Sequence, residues 1–160
     1  MKSLGRFPDP FLAEIAAQPA AIRRAAERLE DQATTLERLA DLPEVARHAA
    51  VFTGMGASSA ACHVPVTLLT GMGAPATTVD TAELLHFGRA LLHRDSVLVV
   101  VSQSGRSAEA IRLVDSLEPA HRPTVVAVTN GVDNPLAASA SMALDTAAGP
   151  EQAHKARIAI

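Results

Sequence analysis

The sequence predicts an α/β protein, a doubly wound, flavodoxin-like sheet of about five parallel strands flanked by helices, with an N-terminal helical arm. Three observations predict it. Short Val- and Ala-rich runs alternate with helical stretches from residue 49 onward. Two of those runs, Val97-Leu98-Val99-Val100-Val101 and Val125-Val126-Ala127-Val128, carry no polar alternation, as expected of strands covered on both faces and therefore parallel. Residues 10 to about 41 have a different texture, rich in Ala, Leu, Glu and Arg with apolar residues at helical spacing.

In the arm, the apolar positions are Phe11, Ile15, Ile22, Ala25, Ala26, Leu29, Leu36 and Leu39. Asp9-Pro10 suits an N-cap followed by proline at the first helical position. Pro19 is expected to begin a second helix, because a proline inside a helix removes a hydrogen bond. The narrow apolar stripe suits packing on a partner subunit and equally suits covering the arm's own domain. The arm is assigned to residues 1–45 and the domain to 46–160. Expected strands are Ala49–Thr53, Ala76–Val79, Val97–Val101, Val125–Thr129 and a weak Met142–Leu144, with helices at about 58–70, 81–92, 107–117 and 135–139.

Composition excludes several classes. The formal charge of −3 is small, its signs are interspersed, and Trp and Tyr are absent. Neither an electrostatic footprint nor a base-stacking platform for nucleic acid is present. No apolar run approaches the roughly 20 residues that span a bilayer, and the first ten residues lack the apolar core of a signal peptide. The protein is therefore read as cytoplasmic, with no membrane partner. Cys62 is the only cysteine and reads as a small hydrophobe on the buried side of a helix. His63, His93 and His121 read as incidental, no spacing resembles a metal site, and no cofactor is expected.

In open sheets of this kind ligands bind beyond the carboxyl ends of the strands. The first such loop is Thr53-Gly54-Met55-Gly56-Ala57-Ser58-Ser59, whose glycines allow close backbone approach and whose serines could cap the next helix. A dinucleotide fingerprint would need a third glycine where Ser59 stands; Asp80, ending the second strand, is the one feature that favours a nicotinamide cofactor. The third strand runs into Ser102-Gln103-Ser104-Gly105-Arg106-Ser107, which places three hydroxyls, an amide and a glycine at a helix N-terminus. Free backbone N–H groups and the helix dipole favour an anion there, and serine hydroxyls rotate to meet phosphate oxygens. A serine-rich turn with one cap is the alternative, but one cap needs one serine. Thr129-Asn130-Gly131-Val132-Asp133-Asn134-Pro135 reads as a turn, with Asn130 at most a wall of the site. Glu83 and His86 lie one turn apart on the expected helix after the second strand. They form a candidate proton-transfer pair, or else a surface salt bridge.

Gly54-Met55-Gly56-Ala57-Ser58, the serine loop 102–107, Thr129-Asn130 and Ala148-Gly149-Pro150-Glu151 together resemble the SIS (sugar isomerase) domain family. The likeness is greatest to the first of two SIS domains in the isomerase half of glucosamine-6-phosphate synthase and to related sugar-phosphate isomerases and deaminases. It implies a fructose-6-phosphate-like or amino-sugar-phosphate ligand, with Ser102, Ser104 and Ser107 on the phosphate and Gln103 and Ser58 completing the pocket. It also implies a homodimer through the N-terminal helices and the helix carrying Glu83. Three departures weigh against full activity. Ala57 replaces a usual threonine, the residues after Glu151 do not match the family's Thr-Lys helix, and a second SIS domain is not in this chain. Nor is a glutamine-hydrolysing domain, so amide transfer is not expected of this chain. The expectation is a phosphosugar-binding, aldose–ketose isomerase-like domain. The alternatives are a non-catalytic sugar-phosphate-binding regulatory domain or half-enzyme, and a nucleotide-binding α/β domain.

Overall fold

The computed structural model describes residues 10–40 and 49–150. Helix α1 (Pro10–Asp31) and helix α2 (Ala33–Ala40) precede strand β1 (Ala50–Gly54) and helix α3 (Ala57–Gly71). Strand β2 (Ala76–Asp80) leads into a single α-turn, α4 (Thr81–Glu83), then a π-turn Leu84–Gly88 and a 3-10 turn Arg89–Leu91. Strand β3 (Val97–Val101), helix α5 (Ala108–Asp115), strand β4 (Thr124–Thr129), helix α6 (Pro135–Ser139) and strand β5 (Met142–Asp145) complete the order.

The five strands are all parallel in the order β2-β1-β3-β4-β5, the doubly wound flavodoxin-like arrangement. Alternation within the strands divides the Val-rich runs between two faces. Val51, Leu98, Val100, Val125 and Ala127 point to one face and pack with Leu84, Leu113, Val114 and Leu136 into a fully buried core. Ala50, Phe52, Val99 and Val101 point the other way, toward Cys62, Val66 and Leu69 of α3. Here the sheet departs from the expectation of uniform cover: Val99, Val101 and Val128 are only half-buried, because α3 lies over β1 and β2 while α1 lies over β5.

Two further differences have local causes. Pro19 does not begin a second helix; it sits inside the continuous α1. The proline costs the helix about 3 kcal/mol, and α1 is held in place by tertiary contacts beyond it. Arg24 Nη2 donates to the Ala148 carbonyl at 2.9 Å, and Gln32 forms a two-way amide clasp with the Asp145 backbone at 3.0 and 2.8 Å. Ala21 and Ala25 are buried beneath that face. The helix expected over 81–92 is instead broken into α, π and 3-10 turns. Asp9, the expected N-cap of the arm, and Glu151 lie outside the described residues.

Candidate functional site

The strand order reverses between β1 and β3, which are neighbours, so the loops after them meet at one point beyond the sheet. The loop after β1 approaches closely. A Cβ on Gly54 would lie 2.7 Å from the Ser58 backbone carbon, so only glycine lets the first turn of α3 fold back on the strand end. Ser58 is buried there, and Gly56, at the N-cap position, offers α3 no side-chain cap. Behind the loop, the hydroxyls of Thr53 and Thr81 form a buried pair at 3.0 Å that ties the ends of β1 and β2 together.

The loop after β3 is held by backbone contacts from the end of β4 and the loop that follows it. Ser102 is buried and its N–H donates to the Val128 carbonyl at 3.0 Å; the Asn130 N–H donates to the Gln103 carbonyl at 2.9 Å. The Gly105 N–H returns to the Ser102 carbonyl at 3.0 Å, closing a tight turn. Ser104 is exposed, with its hydroxyl accepting from the Arg106 N–H at 3.2 Å, and Arg106 is also exposed. Ser107 occupies the N-cap position of α5 in extended conformation, yet its hydroxyl caps nothing; it turns to the Glu109 carboxylate at 3.3 Å. Donors in the first turn of α5 therefore lack the usual serine cap.

A residue read from sequence only as part of a turn proves central. Asn134 is buried and its Oδ1 accepts from the Ala137 N–H at 2.9 Å, capping α6. Its amide nitrogen donates to Thr129 Oγ1 at 3.2 Å and to the Gly131 carbonyl at 2.8 Å. Its amide group also fills the space where a Cβ on Gly105 would stand, and Gly105 itself has φ +61°. The serine loop thus rests on the Asn134 side chain. The signal in the sequence was Asn-Pro at a helix start, a cap followed by proline at the first position. Asn130 donates from its side chain to the Gly149 carbonyl at 2.7 Å, which joins the third and fourth loops to the turn after β5.

The proposed proton-transfer pair is not assembled in the same way. Glu83 ends the single α-turn and His86 falls within the π-turn; both are exposed, and no hydrogen bond or ion pair joins them. The segment winds into a π-turn in place of the continuous α-helix that the sequence suggested. The His86 ring instead lies beside Phe87, with centroids 6.1 Å apart. Cys62 is buried, its thiol donating to the Ser58 carbonyl at 3.2 Å, and burial pushes its pKa up to about 11 against a smaller opposing effect of Thr78. A nucleophilic role does not suit it. Among the described residues no group of three or more His, Cys, Asp or Glu could hold a metal ion.

A hydroxyl-rich loop feeding an uncapped helix at the switch point of a doubly wound parallel sheet is the architecture of phosphate-binding α/β domains. The profile of the SIS domain matches residues 45–159, and the chain belongs to that family. It is 30% identical over 101 residues to arabinose 5-phosphate isomerase KdsD of Pseudomonas aeruginosa, covering 63% of this chain and 31% of that protein. The fold is similar to the C-terminal domain of glucosamine-fructose-6-phosphate aminotransferase from Francisella tularensis, with TM-score 0.76, 21% identity, and 96% of this chain and 44% of that chain covered. It is also similar to tagatose-6-phosphate ketose/aldose isomerase from Escherichia coli, with TM-score 0.74, 21% identity, and 86% of this chain and 40% of that chain covered. The chain thus spans about a third of the length of its curated relative. No helix among the described residues is long and apolar enough to cross a membrane.

Proposed function

We propose that this chain binds a sugar phosphate of the aldose–ketose isomerase class, fructose 6-phosphate-like or pentose 5-phosphate-like. The observation that carries the reading is the loop 102–107 at the N-terminus of α5, where Ser107 leaves the helix uncapped. In this reading the hydroxyls of Ser102, Ser104 and Ser107 and the first N–H groups of α5 hold the phosphate, and Gln103 and Ser58 line the sugar. Glu83 or His86 would move the proton between adjacent carbons through an enediol. The arm is residues 1–45 and the phosphosugar domain residues 46–160. The protein works in the cytoplasm, away from nucleic acid, as a homodimer through the N-terminal helices and the segment carrying Glu83. Binding without turnover, in a regulatory domain or half-enzyme, is the second reading, favoured by Glu83 and His86 being exposed and joined by no hydrogen bond or ion pair.

Calorimetric titration with fructose 6-phosphate and arabinose 5-phosphate separates these. Binding that weakens strongly in Ser104→Ala supports the cradle, and isomerisation lost in Glu83→Gln would favour the first reading over the second. Adenine-nucleotide binding that survives Ser102→Ala and Ser104→Ala would replace both with a nucleotide site.

A further inference from the structure

Asp145 ends β5, the edge strand beside β4, and is not among the residues assigned to the ligand. It nevertheless joins three parts of the fold. Its Oδ1 accepts the Gly131 N–H at 2.7 Å, in the loop after β4, and the Ala147 N–H at 2.8 Å, in the turn after β5. Its Oδ2 lies 3.4 Å from Arg28 Nε of α1. Gln32 of α1 brackets its backbone, accepting its N–H at 2.8 Å and donating to its carbonyl at 3.0 Å. From Gly131 the contacts continue toward the serine loop. The Gly131 carbonyl accepts the Thr129 hydroxyl at 2.6 Å and the Asn134 amide at 2.8 Å. That same amide lies against Gly105, and the N–H of Asn130, next in the chain to Gly131, holds the Gln103 carbonyl at 2.9 Å.

We propose that Asp145 is a positioning residue for the phosphate loop. It fixes Gly131, and through it Asn134 and Asn130, which hold Gly105 and Gln103; Arg28 and Gln32 in turn anchor it to α1. Gly131 sits at φ +86° and has no side chain, so its place depends on the groups bonded to its N–H and its carbonyl. An ionised acceptor makes the stronger kind of hydrogen bond to a backbone N–H, which suits Asp145 to that task. Ala147, at φ +47°, holds a conformation that a side chain disfavours, and the same carboxylate takes its N–H. This role rests on loop 102–107 being the phosphate cradle, and it belongs to a residue that acts on the ligand only through others.

The test is calorimetric titration of the full chain with fructose 6-phosphate and arabinose 5-phosphate, with urea unfolding of the same proteins to show that each is folded. Asp145→Ala is expected to weaken binding about tenfold. Asp145→Asn keeps an acceptor oxygen for Gly131 and Ala147 and should bind within about threefold of wild type. Arg122→Ala is the control for a merely structural loss. Arg122 holds the Val114 and Ser139 carbonyls at the far ends of α5 and α6, so its removal should lower stability and leave affinity unchanged. In the unliganded protein, Asp145→Ala should speed amide exchange at Gly105 and Asn130, and Arg122→Ala should not. Wild-type binding that Ser104→Ala weakens and Asp145→Ala leaves intact would overturn the positioning role and keep the phosphate reading. No binding by wild type would overturn both. Asp145→Asn as weak as Asp145→Ala would overturn the bonds to Gly131 and Ala147 as the cause. Should Asp145→Ala fail to fold, Gln32→Ala carries the test: a loss of about threefold is expected, and unchanged affinity would overturn the anchoring on α1.

Discussion

Gly105→Ala perturbs the point where the serine loop rests on Asn134, and its cost can be worked from two sources. Gly105 has φ +61°, where an L side chain costs about 1–2 kcal/mol. The new Cβ would also occupy the space of the Asn134 amide, which is the buried end of a side chain pinned by three hydrogen bonds, to Ala137, Thr129 and Gly131. Displacing it forfeits those bonds at about 1 kcal/mol each. The sum is about 4–5 kcal/mol, a large fraction of the stability of a small domain. Asn134→Ala alone should cost about 2–3 kcal/mol, since it removes the cap and the same hydrogen bonds but causes no collision. In the double variant the collision is gone, so the two costs should overlap by about 3 kcal/mol instead of adding. Urea unfolding of the two single variants and the double variant measures this coupling directly. Strict additivity would refute the contact between Gly105 and Asn134 as the reason for glycine in the loop.

Three further outcomes follow from the same structure. Thr53→Val or Thr81→Val leaves one buried hydroxyl without its partner and should cost about 1–3 kcal/mol, whereas the double substitution should cost less than the sum, read from thermal or urea unfolding. The Cys62 thiol, with its pKa raised from 9.0 to about 11, favours the folded state below pH 9. That contribution should fade between pH 9 and 11 at up to about 1.4 kcal/mol per pH unit, and the loss should be absent in Cys62→Ala when the two are unfolded side by side. Asp145→Ala removes the acceptor of the Gly131 and Ala147 N–H groups, at 2.7 and 2.8 Å, and the partner of Arg28. It should lower the unfolding midpoint and expose the α1 clasp, seen as faster amide exchange in α1.

The sheet was legible because its strands are continuous apolar runs, which a sheet covered on both faces requires. The loop 102–107 stood out because it carries three serines where one helix cap needs only one. Asn134 was not, since its role comes from a contact with Gly105 across two loops, and no local pattern records that. Pro19 misled because its local cost is real but is outweighed by Arg24, Gln32 and the buried alanines of α1; the bonds that tie Arg24 to Ala148 and Gln32 to Asp145 span more than a hundred residues. The π-turn at Leu84–Gly88 misled similarly. Leu84 is fully buried in the core, and holding it there takes precedence over helical spacing between Glu83 and His86.

The central claim is that loop 102–107 grips the phosphate of a sugar phosphate. Calorimetric titration of the full chain with fructose 6-phosphate and arabinose 5-phosphate, repeated on Ser104→Ala, tests it most directly, because Ser104 is exposed and its loss should leave the fold intact. The account predicts saturable binding to wild type, weakened at least tenfold in Ser104→Ala, the order expected when a hydrogen bond to a charged group is lost. Equal affinity in the two proteins, or no binding of either sugar phosphate to wild type at millimolar ligand, would contradict it.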